Sequence, residues 1–556
     1  MINRRIGRSG SGLGLVWIIG IPLVIVVTVV VLLVMKIGGD KWFGDHASGE
    51  GVEPTRIEAM EFSTNNWSYD RSNNVYYQIK VRYVLDPVSD DYETLGIYVP
   101  GEYLSCVEKD SKYECAVDAS GTLNDYTAMS APIVMPIDAS EYEAVKSPGS
   151  YNYKTASEYV RKGFIYVYVG HRGRIDDRER ENIKYAMGAP WGAVDLKAAV
   201  RFIRYQGDKL PGNKNAVIMF GVLSGGGLAS LLGASGDNPL FSPYLEKIGA
   251  RMAYDDGTPV SDAINGVSVW SPLTEFATAD AAYEWSMGQY IRDPVDTKAK
   301  LTEDLAGVFV DYVNKMGFSK DGVPLRLDSV TSGSYYDYII GEIEKSLNNY
   351  LEDKYELEED RSKYIEKLGE WAKYENGTAR IEDFAGFVKS RKSAVKSVPA
   401  FDALDRSAAE NELFASGDNK AMHFDDYLSD LVYANHYDVA ESDISGLQED
   451  MSSKNEEGTS QRERVLMYTP TVYLMDYYNS VLNNLSIVAS NWRIRTGLSR
   501  SDSSMTTEVN LALALSNYPG VSSMDYEMVW GEGQAQAERK GNGTDSFISW
   551  VESITK

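Results

Sequence analysis

The sequence predicts an α/β fold whose mostly parallel sheet is interrupted by a large helical insertion and preceded by one transmembrane helix. Three observations carry that expectation. Short apolar, β-rich runs alternate with segments of helical spacing in the first half of the chain and again near its end. Between them, over 277–465, strand-like runs are scarce and long charged amphipathic patterns such as Y-I-I-G-E-I-E-K-S-L-N-N-Y-L dominate. Leu13–Met35 is a run of 23 residues without a charge.

In chain order, residues 1–12 are expected in the cytoplasm and 13–35 as a signal-anchor helix, long enough for a hydrocarbon layer of roughly 30 Å. A signal peptide would show a shorter apolar core and a small-residue cleavage site, and neither is evident. Arg4, Arg5 and Arg8 precede the span, while Lys36 and Lys41 after it are partly offset by Asp40, so positive-inside bias places the large domain outside the cell. Residues 36–73 are a linker and the start of that exterior domain. Residues 74–276 form the first part of its core. They open on an antiparallel meander through V-Y-Y-Q-I-K-V-R-Y-V and L-G-I-Y-V-P. Strands at Phe164–Val169, Ala216–Phe220 and Gly266–Trp270 follow, with a helix over Gly192–Tyr205. Residues 466–556 complete the core with a strand at N-W-R-I-R-T-G, a helix through E-V-N-L-A-L-A-L, a strand at M-D-Y-E-M-V-W and a closing helix. The polar stretch 442–460 reads as disordered.

Composition narrows the function classes. Of the net charge of −26, residues 1–41 carry five basic groups against one acidic, which leaves −30 on the rest. An exterior that acidic lacks a general phosphate footprint, so no nucleic-acid partner is expected; solubility accounts for the charge. The two cysteines, Cys106 and Cys115, flank a polar turn and suit a hairpin that carries a disulfide in an oxidising compartment, or two unpaired thiols. No CxxC or His/Cys cluster points to a metal, and no cofactor is expected. The chain has four histidines, His46, His171, His423 and His436, and none after His436.

Ile218–Gly233 has the outline of a strand, a sharp turn and a helix, the nucleophile elbow of α/β hydrolases. The motif G-x-S-x-G is here Gly221-Val222-Leu223-Ser224-Gly225, with a leucine at the nucleophile's place and a serine one residue late. Either Ser224 acts in a shifted frame or the nucleophile is gone. The elbow glycines must be small because strand and helix crowd the turn, and a shift to Ser224 would put Val222 in one of those places.

From Tyr76 to Ile554 the chain resembles the bacterial tannases and related feruloyl-esterase-like α/β hydrolases. The likeness rests on L-G-I-Y-V-P-G-E-Y-L, Y-V-G-H-R-G-R, A-V-D-L-K-A-A-V-R-F-I-R-Y, A-D-A-A-Y-E-W, P-A-F-D-A-L-D-R-S-A-A-E-N-E-L-F, N-W-R-I-R-T-G and V-W-G-E-G-Q, in that order. The resemblance implies ester hydrolysis by a serine, histidine and aspartate triad. It also implies that Leu223, ten residues before Gly233, holds the serine's place, Arg500 the aspartate's and Gln534 the histidine's. Arginine accepts no hydrogen bond from an imidazole, and glutamine is no general base. By the same resemblance Lys396 and Glu410, fourteen residues apart, and Asp502, two after Arg500, match the residues that hold galloyl hydroxyls. Gly170 and His171 match the oxyanion loop. Ordinary surface charges or an ion pair between cap and core account equally well for Lys396, Glu410 and Asp502.

Three functions fit. The first is a membrane-anchored extracellular pseudo-esterase, scaffold of a carboxylic ester hydrolase, that binds a phenolic ester, a small aromatic ligand or a protein partner without hydrolysis. The second is an active carboxylic ester hydrolase using Ser224, with His171 as base. The third is a structural surface domain with a closed pocket.

Overall fold

Strands buried on both faces need no polar–apolar alternation, and Gly266-Val267-Ser268-Val269-Trp270 and Val217–Phe220 are buried at every position. Both lie inside a nine-stranded sheet. The computed structural model describes residues 62–174, 187–295, 298–392, 396–478, 485–499 and 504–556, all within one unit, Met60–Lys556. The predicted span 13–35, the preceding 1–12, most of the linker, Arg500 and Asp502 lie outside the described residues. Among those described, no helix is long and apolar enough to cross a membrane.

The strands of the sheet are β1 (Ser68–Asp70), β2 (Val75–Arg82), β3 (Thr94–Pro100), β4 (Ile133–Ile137), β5 (Ile165–Val169), β6 (Val217–Val222), β7 (Gly266–Trp270), β8 (Asn491–Gly497) and β9 (Ser523–Val529). Their spatial order is β1-β2-β3-β5-β4-β6-β7-β8-β9. The first pairings are antiparallel, through β3 with β5, and every later neighbour is parallel. From β4 the chain steps outward to β5, then returns past β4 to β6. That reversal opens a crevice at the carboxyl ends of β4 and β6, where open α/β sheets hold their ligands.

Helices cover the sheet. α1 (Tyr153–Val160) precedes β5, and α2 (Trp191–Tyr205) lies between β5 and β6. α2 is buried through Ile203 and carries Asp195, Lys197 and Arg201 inward. Each is paired. Asp195 takes a bidentate grip from Arg172 at 2.6 and 2.9 Å, and Asp262 receives Lys197 at 2.8 Å and Arg201 at 2.6 Å. Buried charge of this kind is tolerated only in such pairs. α3 (Leu223–Ala234) follows β6 directly. Outside the sheet, Leu104–Lys109 and Lys112–Val117 form a hairpin in which Cys106 and Cys115 are direct register partners joined by a disulfide.

Between β7 and β8 the described chain is predominantly helical, with two small hairpins at Ser319–Pro324 and Ala372–Ile381. The longest helix there is α4 (Ser334–Lys354), and the short α5 (Ala409–Leu413) lies further along. α6 (Met505–Asn517) and α7 (Gly543–Thr555) flank β9. The expectation of disorder over 442–460 is corrected: Glu441–Ser452 is a helix. Its polar composition hides a buried stripe, Ile444 and Leu447, packed with Leu428 and Val432. The Asp450 carboxylate accepts both the Arg406 side chain and the His423 amide at 2.8 Å. Tyr244 and Lys247 hold Thr459 and Glu457 beyond it.

Candidate functional site

β6 ends in extended backbone at Val222, and the next residue, Leu223, has φ +49° and opens α3. A left-handed conformation costs a side-chain-bearing residue of order 1–2 kcal/mol, so surrounding structure must impose it. The neighbouring glycines show how. A Cβ on Gly221 would lie 2.5 Å from the Gly225 carbonyl carbon, and a Cβ on Gly225 would lie 2.1 Å from the Ile137 carbonyl oxygen. These two positions admit no side chain, and they flank Leu223 as the first and last glycine of G-x-S-x-G. Leu223 is therefore the residue at the elbow tip. Ser224 lies inside the first turn of α3, 1 % exposed.

The chain that abuts the elbow follows β4. Ile137 and Ala139 touch Gly225, and the Tyr142 hydroxyl donates to the Leu273 carbonyl at 2.5 Å while filling the space over Gly227. Leu273 in turn donates its amide to the Leu223 carbonyl at 3.0 Å. Gly170 and His171 instead follow β5, one strand further from β6. Gly170 is pressed against the Ser147 amide, 2.5 Å from where a Cβ would stand. His171 is buried, pairs through its backbone with Val145, and its Nδ1 lies 2.9 Å from the Arg172 carbonyl. Its Nε2 has no hydrogen-bond partner among the described residues, so none reaches Ser224. Burial pushes the ring's pKa below its ordinary value, which keeps it neutral.

The positions that the resemblance assigns to the other two triad members, 500 and 534, come after β8 and β9 in the chain, and 534 is the one described. The loop Trp530–Gln534 after β9 presses on the last residue of β8. A Cβ on Gly497 would lie 1.9 Å from the Gly533 carbonyl oxygen, and the Ser499 amide donates to Glu532 at 2.8 Å. The Gly497 amide also donates to the Ser271 hydroxyl after β7 at 3.2 Å. Continuous contacts thus run from Leu223 through Leu273 and Ser271 to Gly497 and Gly533. Gln534 is the next residue and is half-buried.

Lys396 and Glu410 are brought together, Nζ to Oε1 at 3.9 Å, with the lysine side chain 25 % and the glutamate 7 % exposed. The ammonium lies 4.0 Å from the centre of the Phe401 ring. Burial raises the Glu410 pKa, and Lys396 opposes the rise. Glu410 lies in the first turn of α5, which packs against Ser140–Tyr142, so the pair stands on the same side as the elbow. Asp502 lies outside the described residues.

Glu275 is the group in this region that sequence reasoning missed. It is fully buried at φ +63°, two residues after Leu273, and its carboxylate accepts from the Thr471 amide and hydroxyl. Burial pushes its pKa from 4.5 up to about 8. Between those two values the folded chain binds a proton that the unfolded chain has released, so stability falls as pH rises from 4.5 towards 8 and levels off above. Glu275→Gln is expected to flatten that part of the profile. Melting temperatures of both proteins across pH 5–8 check this; parallel profiles would refute it.

A strand, a strained tip and two obligatory glycines at the switch point of a mostly parallel sheet define an α/β-hydrolase fold with a helical cap. The BD-FAE family profile matches residues 123–314. Among solved structures, the tannin acyl hydrolase of Lactobacillus plantarum is 24 % identical, covers 87 % of this chain and 94 % of its own, and superposes with a TM-score of 0.67. The tannin acyl hydrolase solved with ethyl gallate gives 23 %, 90 %, 100 % and 0.68, and the tannase of Fusobacterium nucleatum 25 %, 88 %, 98 % and 0.67. No curated protein matches the sequence. The chain is a tannase- and feruloyl-esterase-like α/β hydrolase in fold.

Proposed function

We propose that this chain is a membrane-anchored, extracellular pseudo-esterase that binds a galloyl-like phenolic ligand without hydrolysing it. The observation that carries the reading is Leu223 at φ +49° between two glycines that admit no side chain. The atom presented where a serine oxygen would attack is hydrocarbon, and neither arginine at 500 nor glutamine at 534 supplies a base. Retained recognition is supported by the Lys396–Glu410 pair, whose ammonium donates and whose carboxylate accepts at vicinal phenol hydroxyls. Asp502 is the third member of that set. The likeness to proteins solved with ethyl gallate and with 3,4-dihydroxybenzoate supports the ligand class. Leu13–Met35 is the anchor in this reading, and a disulfide at Cys106–Cys115 suits an oxidising exterior.

The test uses the full chain in detergent micelles with methyl gallate and short nitrophenyl esters. Turnover is expected at the level of a protein-free blank, and calorimetry is expected to show gallate binding that Asp502→Ala weakens by about tenfold. Turnover abolished by Ser224→Ala would establish a Ser224 esterase instead. No binding, or equal binding by Asp502→Ala, would leave a structural or partner-binding domain.

A further inference from the structure

Away from the elbow, the cap holds a cavity of about 380 Å³, a size suited to small ligands. The helices Asp426–Asn435 and Gln461–Met467 and the chain after Pro470–Tyr473 line it. None of Leu223, Ser224, Lys396 and Glu410 lines it. Two of its walls are aromatic. The rings of Tyr477 and Tyr478 meet at 71° with centroids 5.2 Å apart, which makes a corner of two π faces. Tyr427 extends that wall through a hydrogen bond to Tyr477. Burial holds the Tyr427 and Tyr478 phenols well above their ordinary pKa, so both rings stay neutral. Val465 and Leu466 contribute hydrocarbon.

The lining charge is unbalanced. Asp426 and Asp430 stand one turn apart on the same helix, and Arg462 is the cation among the described lining residues. Its guanidinium is ion-paired with Asp426. Asp430 has no ion-pair partner among the described residues and is exposed at the cavity's rim. Arg462 feels both carboxylates, and two carboxylates against one guanidinium leave the lining net negative, which disfavours an anion. A small hydrated metal ion gains little from ring faces and hydrocarbon. A cation whose charge is spread over methyl groups uses every wall: the rings attract it, Asp430 balances it and the apolar side chains desolvate its methyl groups. The −30 charge of the chain beyond residue 41 concentrates cations at the surface as a whole.

We propose that this cavity binds a small methylated ammonium ion between the Tyr477–Tyr478 corner and Asp430. The probe is tetramethylammonium chloride, titrated calorimetrically into the full chain against sodium chloride at matched ionic strength. Saturable binding is expected for the ammonium salt alone, weakened about tenfold or more by Tyr477→Ala and by Asp430→Asn, and retained by Tyr477→Phe. Tyr477 is 42 % exposed and Asp430 is exposed, so these variants are expected to keep the parent's melting temperature, which is measured alongside. Gallate is expected not to compete, which separates this site from the one at the elbow. Equal heats with sodium chloride, unchanged binding in Tyr477→Ala or Asp430→Asn, equal loss in Tyr477→Phe and Tyr477→Ala, or competition by gallate would each overturn the proposal.

Discussion

Leu223→Ser, Arg500→Asp and Gln534→His introduced together are expected to hydrolyse methyl gallate at least about a thousandfold faster than any of the three single variants. The members of a catalytic triad act as one unit. Loss of the nucleophile or the base alone costs nearly as much as loss of all three, so restoring one member returns almost nothing. A serine alone at 223 has no base to take its proton, and a histidine alone at 534 has no nucleophile to serve. The backbone at 221–225 and at 533 is already set for the restoration. The tip is held at φ +49°, Gly221 and Gly225 keep the approach clear, and the loop of Gly533 is seated on the end of β8. Single-turnover release of gallate from the folded triple variant is the measurement. A triple variant that melts like the parent and is as inert as the single variants would mean that residues 223 and 534 do not face one pocket.

The second large effect concerns stability. Gly225→Ala is expected to destabilise the chain by about 3 kcal/mol or more, among the severe single substitutions. The added methyl would stand 2.1 Å from the Ile137 carbonyl oxygen, which is backbone at the end of a central strand and has no rotamer by which to move aside. The same change at Gly226 meets its nearest neighbours at 3.1 and 3.3 Å and is expected to cost far less. Urea unfolding of the two variants makes the comparison, and equal midpoints would show that the elbow is not held as tightly as these distances require.

Much of the architecture was legible because burial on both faces writes itself into a strand as an unbroken apolar run. Gly266–Trp270 is a strand over the residues its composition marks, and the helix expected over Gly192–Tyr205 begins one residue earlier, at Trp191. The stretch 442–460 misled because two buried aliphatic residues among serines and acids are too few to mark a helix, whereas the carboxylate of Asp450 is anchored by Arg406 and by His423, distant in sequence. Glu275 gave no signal at all, since a lone glutamate reads as solvated surface until the fold buries it against Thr471.

The elbow divides along the same line. Which residue types stand at 223, 500 and 534, the positions that the resemblance assigns to the triad, is a property of the chain alone, as is the fourteen-residue spacing that sets Lys396 and Glu410 apart. Which of Leu223 and Ser224 is the tip was decided by tertiary structure, because the requirement for glycine at 221 and 225 comes from a backbone carbonyl of β4 and from the turn of α3 back onto β6. The segment that meets the tip was decided the same way. Sequence order sets the loop after β5 nearer to β6, but the sheet places β4 between them, and hydrogen-bonded neighbours in a parallel sheet follow the crossovers of the chain rather than its order. Side-chain chemistry travels with the residue, whereas access and adjacency exist only once the strands are paired.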